Sequence, residues 1–441
     1  MEAMNKMKWS RYNTSFPNGD QTIYYNCASD TVMAVLPQIK ELLDRNADTP
    51  DALADIHPPL YRFMVEKGFL IDAGIDELQA LLERWTKKET DRSSFTLTVN
   101  PTLDCNLRCW YCYEAHKAGM DMSSETVEAV KRLIDRKMAE SELERLNIGF
   151  FGGEPLMRFN DMVHPILFHA QQMCDQYGKK LGVRFTTNGV LLTEKVLSRL
   201  VPFNKDYPVF LQITLDGNRE LHDQVRVGVG RGKTFDLIVR HIRAALQAGM
   251  ELNVRFNYTA ANVDSFGDVL SEFENLSVAE KDRLTVDYQP VWQDGTRPEA
   301  DAKAERQAER YSACGLHTAE NKTISPTHCY ADFENSIVIN YTGDLYKCTA
   351  REFHPQLREG VLSPDGQLLW NNRYRKRMAI KHGTPLCHAC RIFPLCHGGC
   401  SQTKLERAVS DVCYYQYSEA DKDALLRRRG EWILRHPEVS Y

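Results

Sequence analysis

The sequence lacks a long hydrophobic run, a marked excess of charge of one sign and an apolar signal segment near residue 1. No stretch approaches the roughly 18 consecutive apolar residues that indicate a membrane span. The opening residues, MEAMNKMKWSRYNTSF, contain no apolar core of a signal peptide. A formal net charge of −5 over 441 residues offers no basic surface for nucleic acid or a membrane. We therefore expect a cytoplasmic globular protein that binds neither nucleic acid nor membrane.

Cysteine, by contrast, is abundant, with 13 residues of this type. In a reducing compartment this number indicates metal ligation or catalysis rather than disulfide bridges. Cys27 and Cys174 stand alone in the sequence, and we expect both to be buried thiols. The other cysteines fall into two sets, one within residues 105–112 and one within residues 314–413. Two separate sets predict two metal-binding regions.

Residues 1–90 contain no cluster of metal ligands and predict a small α+β unit. Two β-prone stretches flank the turn PNGD and indicate a hairpin. Ser29 is a possible N-cap for a first helix, and Gly68 is expected to end a second helix before a short strand. The polar stretch from Trp85 to Ser94 is expected to be a linker.

Between residues 95 and 290, β-prone stretches alternate with amphipathic helical stretches. The β-prone stretches are FTLTVN, LNIGFF, GVRFTTN, VFLQITLDG, LNVRFNY and LTVDYQP. This alternation predicts a parallel sheet with crossover helices. Six β/α units are too few to close an eight-stranded barrel, so we expect an open or partial barrel with ligands at the carboxyl ends of its strands. From about Cys314 the periodicity weakens, with a hairpin turning at Thr342–Gly343 and a loop-like stretch, LCHACRIFPLCHGGC, that metal would have to stabilise.

The loop after the first of these strands reads DCNLRCWYCYEA and contains Cys105, Cys109 and Cys112. Three thiolates at this spacing suit a 4Fe–4S cluster and would leave one iron free to bind another ligand. A zinc site that takes a fourth His or Cys ligand, with His116 nearby in the sequence, is the alternative. The loop directly follows a strand, which is where ligands bind in such folds.

The stretch CNLRCWYC resembles the cysteine signature of radical S-adenosylmethionine (SAM) enzymes. FFGGEPL, TTNG and ITLDG follow the second, third and fourth strands and resemble further motifs of these enzymes. In the family, a reduced cluster cleaves SAM to a 5′-deoxyadenosyl radical, which takes a hydrogen atom from the substrate. The resemblance implies that the catalytic cluster ligands are Cys105, Cys109 and Cys112. It also implies that the cofactor contacts involve Tyr111, Gly152, Gly153, Glu154, Asn188, Thr214, Asp216 and Arg226.

The second cysteine set resembles the SPASM extension that follows some radical SAM domains. All positions of that pattern are present, in the order Cys329, Cys348, Cys387, Cys390, Cys396, Cys400 and Cys413. The resemblance implies two auxiliary 4Fe–4S clusters. One would be held by Cys387, Cys390, Cys396 and Cys413, and the other by Cys329, Cys348 and Cys400 with Cys314 as the remaining ligand. The alternative for Cys314 is a buried thiol.

The N-terminal order of hairpin, helices and strand resembles the small winged-helix recognition domain of peptide-modifying radical SAM enzymes. Such a domain captures the leader of a ribosomally made precursor by adding it to an exposed strand edge. A dimerisation or packing domain is the alternative. Since residues 1–90 contain no motif residue, we expect their deletion to leave the clusters intact.

We therefore expect a partial (β/α)6 radical SAM barrel with an N-terminal winged-helix-like α+β domain and a C-terminal SPASM iron–sulfur domain. The expected domains are 1–90 for peptide recognition, 91–310 for the radical SAM core and 311–441 for SPASM. The expected cofactors are SAM and three 4Fe–4S clusters, and the expected partners are a precursor peptide with a leader and an electron donor such as flavodoxin or ferredoxin.

The expected activity is that of an oxidoreductase that modifies the precursor, by a thioether or carbon–carbon crosslink. One alternative is an anaerobic sulfatase-maturase-type enzyme that oxidises a Cys or Ser of a protein. Such maturases have an aspartate base after the cysteine that corresponds to Cys348, where this chain has Thr349. The other alternative is a non-catalytic iron–sulfur or zinc protein.

Overall fold

The computed structural model describes residues 6–114, 116, 118–230, 232–295, 298–319, 328–407 and 412–436. The chain divides into two compact units. The first comprises Met1–Thr90, Thr323–Phe333 and Lys376–Tyr441, and the second comprises Asp91–Lys322 and Glu334–Arg375. The three domains expected from the sequence, with their bounds and roles, stay predictions. The segment 311–441 contributes to both compact units.

The N-terminal part of the first unit contains two small antiparallel sheets. Its strands are β1 (Met7–Trp9), β2 (Asn13–Asn18), β3 (Gln21–Asn26), β4 (Thr31–Val35) and β5 (Leu70–Asp72). Its helices are α1 (Pro37–Arg45), α2 (Leu53–Ile56), α3 (Pro58–Glu66) and α4 (Glu77–Glu89). Strands β2, β3 and β4 pair in that order, and β1 pairs with β5.

Two of the local predictions for this region are confirmed. Strands β2 and β3 form the hairpin expected at PNGD, with Gly19 in its turn at a φ of 63°. Helix α3 ends at Glu66, just before Gly68, whose φ of 78° is in the left-handed region that favours glycine.

Two other local predictions are wrong. Ser29 does not cap a helix, because Thr31–Val35 form the edge strand β4 and α1 begins only at Pro37. The β-branched residues of this stretch pair with β3, and this tertiary contact outweighs the helical spacing. The stretch from Trp85 to Glu89 is not a linker, because α4 continues through it and buries the side chains of both residues.

The second unit is built on a mixed sheet with six parallel strands at its centre. They are β6 (Ser94–Val99), β7 (Arg145–Phe150), β8 (Lys180–Thr187), β9 (Phe210–Leu215), β10 (Glu251–Tyr258) and β11 (Leu284–Pro290). These strands lie side by side in sequence order, which confirms the six predicted β/α units. The order of the whole sheet is β12-β11-β10-β9-β8-β7-β6-β13-β14-β15-β16.

The remaining strands of this sheet are short. They are β12 (His317–Thr318), β13 (Ser336–Ile339), β14 (Asp344–Tyr346), β15 (Gly360–Leu362) and β16 (Leu368–Trp370). The hairpin expected at Thr342–Gly343 is confirmed as β13 and β14, with β13 parallel to β6. The helices of the unit are α5 (Ser124–Met138), α6 (His164–Tyr177), α7 (Glu194–Leu200), α8 (Arg219–Val225), α9 (Phe235–Gln247), α10 (Phe266–Val269), α11 (Val278–Lys281) and α12 (Pro298–Ala313).

The six parallel strands alternate apolar and polar side chains. The apolar positions, such as Ile148, Ile213 and Val254, pack with the helices in one large core. Parallel strands covered on both faces usually form nearly continuous hydrophobic runs. The alternation here leaves the other face polar, with Gln212 and Arg255 among its side chains. This polar face is the wall of the candidate site.

Five further helices follow in the described part of the chain; the first begins in the second unit and ends in the first, and the other four belong to the first unit. They are α13 (Asn372–Ile380), α14 (Pro385–His388), α15 (Phe393–Cys396), α16 (Ser401–Arg407) and α17 (Glu419–Arg435). The stretch LCHACRIFPLCHGGC is therefore not simply a loop. Pro385 and Pro394 each stand at the start of a one-turn helix, where a missing N–H costs nothing.

The N-terminal and C-terminal segments of the first unit share one core. Tyr25 and Trp85 pack in the same buried cluster as Phe393 and Leu426. Cys27 belongs to this cluster and is 2% exposed, so its predicted burial is confirmed, as is that of Cys174 in the second unit. Deletion of residues 1–90 would therefore expose the core beneath the C-terminal cysteines, contrary to the expectation from motifs alone.

None of the helices in the described ranges is long and apolar enough to span a membrane.

The shared core yields a first prediction. Trp85→Ala should lower the free energy of unfolding of the first unit by about 3–5 kcal/mol, because it leaves a cavity where a side chain only 4% exposed now packs. Chemical denaturation followed by circular dichroism measures the change. Ile56→Ala, at a position 56% exposed, is the matched control and should change stability by less than about 0.5 kcal/mol. Equal effects of the two substitutions would contradict the shared core.

Candidate active site

The three-cysteine loop lies at the carboxyl end of β6. Cys105 is buried, and Cys109 and Cys112 are half-buried. All three line one cavity of about 210 Å³ in the second unit. Asn188, which follows β8, donates from its side-chain amide to Asn106 Oδ1 at 2.7 Å and approaches Cys105 Sγ at 3.6 Å. The cavity therefore collects residues from the ends of several parallel strands.

Gly152 and Gly153 hold the loop against the end of β7. A Cβ atom at Gly152 would lie 2.4 Å from the carbonyl oxygen of Thr102, and one at Gly153 would lie 2.0 Å from that of Asp104. The amide of Gly153 donates to Thr102 O at 3.0 Å. The two glycines thus line the cavity and also let the backbone after β7 lie close to the cysteine loop.

Glu154 is fully buried and lies behind the cavity rather than in its wall. Its carboxylate accepts hydrogen bonds from the backbone N–H of Asn188 at 2.7 Å, the Thr187 hydroxyl at 2.8 Å and the backbone N–H of Leu156 at 3.0 Å. Burial raises the pKa of this carboxyl, whereas these donors oppose the rise. Its position favours a role in holding Asn188 over a direct contact with a ligand.

A buried ion pair forms another part of the site. Arg226 donates from Nε to Asp216 Oδ2 at 2.5 Å, and both side chains are less than 10% exposed. The hydroxyl of Tyr111 lies 2.9 Å from both Asp216 oxygens and accepts from Asn257 at 3.1 Å. Arg226, Tyr111 and Thr214 line the cavity, whereas Asp216 supports them from behind. This network fixes the guanidinium beside the thiols.

The residue types in this wall suit an iron–sulfur cluster. Burial raises the pKa of Cys105 to about 12 and that of Cys112 to about 11, and Cys109 adds to both shifts. Within the described ranges, no group of three or more His, Cys, Asp or Glu side chains is placed to hold one metal ion. Three cysteines along one cavity wall suit a cubane, because soft thiolate sulfur is the usual ligand of cluster iron and each cysteine could bind a different iron.

Several cavity residues had not been singled out from the sequence. They are Glu114, Gln212, Arg255, Asn257, Trp292 and Gln293. His116, named above as a possible zinc ligand, lies in the same lining. Gln212, Arg255 and Asn257 alternate with apolar residues on β9 and β10, so strand alternation is the signal that would have found them. Glu114 follows the last cysteine by two positions and carries no comparable signal.

A second cavity, of about 490 Å³, lies in the first unit. Its lining includes four thiols, those of Cys387, Cys390, Cys396 and Cys413. Burial, with a smaller contribution from the other three thiols, raises the pKa of Cys396 to about 12. The four cysteines that the SPASM resemblance assigns to one auxiliary cluster therefore do face a common space.

The four cysteines assigned to the other auxiliary cluster belong to different units. Cys329 and Cys400 are in the first unit, and Cys314 and Cys348 are in the second. Cys314 is partly buried against the large core. Next to Cys348, the carbonyl of Thr349 accepts from the Tyr113 hydroxyl at 2.7 Å, which ties this segment to the three-cysteine loop. Their joint ligation of a cluster remains a prediction.

Comparison with known proteins identifies the second unit. Residues 99–270 match the model of the radical SAM superfamily. This part of the chain is a radical SAM domain. The match confirms the predicted enzyme family and covers the loop, the glycine pair and the Asp216–Arg226 pair.

Longer similarity exists to mycofactocin maturase MftC. The protein from Mycobacterium tuberculosis is 28% identical over 331 residues, which cover 70% of this chain and 78% of the relative. The MftC of Mycolicibacterium smegmatis is 29% identical over 336 residues, with the same coverage. The similarity therefore extends beyond the radical SAM domain.

Two solved structures share the fold. The structure of native anSMEcpe with bound AdoMet has a TM-score of 0.58 and 18% identity and covers 78% of this chain and 98% of that chain. Streptococcus suis SuiB bound to precursor peptide SuiA has a TM-score of 0.51 and 13% identity and covers 92% of this chain and 100% of that chain. At these identities the similarity shows the fold alone.

The buried pair beside the radical SAM loop yields a second prediction. Asp216→Asn should lower the free energy of unfolding by about 3–5 kcal/mol, because it leaves the Arg226 guanidinium buried without its carboxylate. The control is Asp236→Asn, which breaks the exposed pair with Arg219 in the same unit and should cost less than about 1 kcal/mol. Denaturant unfolding of both variants measures the difference, and a cost for Asp216→Asn as small as that of the control would argue against a buried charge pair.

Glu114 yields a third prediction, on pH dependence. Both of its carboxyl oxygens are buried without a hydrogen-bond partner among the described residues, and burial, with Glu352 nearby, raises its pKa from 4.5 to about 8. A carboxyl with a raised folded-state pKa stabilises the protein below its unfolded pKa and loses that contribution as the pH rises through the folded pKa. Glu114→Gln should therefore match the wild type near pH 5 and be more stable near pH 9, by about 1–3 kcal/mol.

Thermal unfolding at the two pH values checks this expectation. Glu274→Gln, at an exposed position of the same unit, is the control and should leave the difference between the two pH values close to that of the wild type. A Glu114→Gln variant that is less stable than the wild type at pH 9 would show that the carboxyl has a partner in the folded protein.

Proposed function

We propose that this radical SAM enzyme modifies a ribosomally synthesised precursor peptide. The observation that carries the proposal is the single cavity that joins the three thiols with Gly153, Asn188, Thr214 and Arg226. The similarity to a maturase over 70% of the chain supports a peptide as the substrate. The fold shared with SuiB, which was solved with its precursor peptide, agrees with that choice.

The residues of the cavity would hold SAM and one 4Fe–4S cluster. Cys105, Cys109 and Cys112 would ligate the cluster, and Gly153, Thr214 and Arg226 would contact SAM. When bound, these groups supply a 5′-deoxyadenosyl radical that takes a hydrogen atom from the substrate. The chain itself orients the ligand: Asp216 and Tyr111 hold the Arg226 guanidinium, and Glu154 holds Asn188.

The finer assignments form part of the same proposal. The six consecutive strands would form a partial (β/α)6 barrel, and the C-terminal cysteines would hold two auxiliary clusters. The cavity shared by Cys387, Cys390, Cys396 and Cys413 supports one of these clusters. Residues 1–90 would act as a winged-helix-like recognition domain for the leader, and β2 and β4, at the edges of their sheet, offer positions for strand addition. A flavodoxin or ferredoxin would supply electrons.

The sulfatase-maturase alternative is less well supported. Thr349 stands where those enzymes have an aspartate, and its carbonyl oxygen accepts a hydrogen bond from the Tyr113 hydroxyl. A threonine hydroxyl does not titrate near neutral pH and cannot replace a carboxylate as a base.

The fourth prediction tests the reaction. The reconstituted wild type, reduced with dithionite, should cleave SAM to 5′-deoxyadenosine, and the triple change of Cys105, Cys109 and Cys112 to Ala should abolish this product because no thiolate then holds the SAM-binding cluster. Cys174→Ala is the control, since this buried thiol of the same unit has no assigned role. Chromatography of the nucleoside product makes the measurement, and undiminished cleavage by the triple variant would refute the site.

Peptides encoded by short reading frames beside the gene test the substrate class. The precursor should raise 5′-deoxyadenosine formation and lose the mass of two hydrogen atoms when a crosslink forms. Oxidation of a sulfatase-derived Cys or Ser peptide, with no response to any neighbouring peptide, would favour the maturase alternative.

A further inference from the structure

A buried carboxylate with three charged or ionisable partners lies in the first unit, outside the candidate active site. Glu89, the last residue of α4, is 1% exposed. Its oxygens are 2.6 Å from His328 Nδ1, 2.6 Å from Lys381 Nζ and 2.8 Å from His382 Nε2. Burial alone would raise the pKa of Glu89, but these three partners hold it below its ordinary value. No role assigned so far uses this carboxylate.

The partners of Glu89 belong to segments that carry predicted cluster ligands. His328 immediately precedes Cys329. His382 precedes Gly383, where a Cβ atom would lie 2.7 Å from Cys387 Cβ and 3.1 Å from its Sγ. The carbonyl of His382 also accepts from His388 Nε2 at 3.0 Å. The position of Glu89 therefore determines where the backbone beside Cys387 lies.

Trp85, one turn earlier on α4, extends the same contact surface. Its ring packs edge-on against His328 at 4.8 Å, His397 at 4.7 Å and Phe393 at 5.0 Å between centroids. His397 immediately follows Cys396, and its ring centroid is 4.2 Å from that of His328. One face of α4 thus contacts the segments that carry Cys329, Cys387 and Cys396.

These contacts point to a function for the helix in addition to packing. We propose that Glu89 is a positioning residue for the auxiliary clusters: its carboxylate fixes the cysteine segments, and its negative charge opposes reduction of the cluster held by Cys387, Cys390, Cys396 and Cys413. The inference rests on the proposed function, because it requires those clusters. It makes the N-terminal region, expected to bind the leader, a structural part of the cluster-bearing unit.

Removal of the negative charge of Glu89 should move the midpoint potential in one direction. Glu89→Gln keeps the shape but removes the charge, so the ammonium of Lys381, 9% exposed, is left without a carboxylate. An unpaired positive charge in the unit that would carry the cluster favours the reduced form of that cluster. The midpoint potential of one auxiliary cluster should therefore shift upwards. Glu89→Asp keeps the charge on a shorter side chain, and it should restore the potential most of the way.

The experiment uses the full chain, reconstituted anaerobically with iron and sulfide, and needs no peptide. Iron content, the electron paramagnetic resonance spectrum of the reduced clusters and a potentiometric titration are measured for the wild type and each variant. The matched control is Asp30→Asn, which breaks another buried ion pair of the same unit, with Arg429 at 2.5 Å. Neither Asp30 nor Arg429 belongs to a segment that carries a predicted ligand. The control should lower the unfolding temperature without changing the midpoint potential of any cluster.

The outcomes separate this inference from the proposed function. An upward shift or a changed spectrum in Glu89→Gln, reversed in Glu89→Asp and absent in Asp30→Asn, supports the role of Glu89. Loss of one cluster's iron in Glu89→Gln with retention in Glu89→Asp supports it as well. Unchanged spectra and potentials in Glu89→Gln, or equal changes in Asp30→Asn, overturn it. Absence of any auxiliary-cluster signal from the wild type would instead refute the proposed cofactors.

Discussion

The alternation of apolar and polar side chains along six parallel strands is the constraint on which the second unit depends. Because the apolar positions all face the helices, one face of the sheet is closed by a large core. The other face must be polar and available for ligands, which is unusual for parallel strands. The carboxyl ends of those strands then bring together the cysteine loop, the glycine pair and Arg226, although these residues are far apart in the sequence. The chemistry of the cavity follows from this geometry.

Both units use a buried carboxylate to place the residues next to their thiols. In the second unit Asp216 holds Arg226 and Tyr111 beside Cys109. In the first unit Glu89 gathers a lysine and two histidines from the cysteine-bearing segments. A buried charge costs much free energy unless it is paired and hydrogen-bonded. Each carboxylate therefore tolerates only one arrangement of its partners, and that arrangement sets the position of the neighbouring cysteines.

The shared core of the first unit changes how the N-terminal region is viewed. A peptide-recognition domain joined by a linker could be removed without consequence for the rest of the protein. Here α4 replaces the linker, and Trp85 packs between the N-terminal sheet and the cysteine segments in one cluster. Peptide capture and cluster binding would therefore occur on one folded unit. Any displacement of α4 on peptide binding would also shift the cysteine-bearing segments, because Glu89 and Trp85 contact them.

Sequence alone determined the features that depend on local pattern. The three-cysteine spacing, the six β/α units and the turns at Gly19 and Gly343 all follow from residue type and periodicity. Only the tertiary structure decided that residues 31–35 form a strand and that Glu89 is buried. A polar stretch such as WTKKE has the same local pattern on a surface or in a core. The burial of the Glu89 carboxylate depends on hydrogen bonds with His328 and His382, which lie 239 and 293 positions further along the chain.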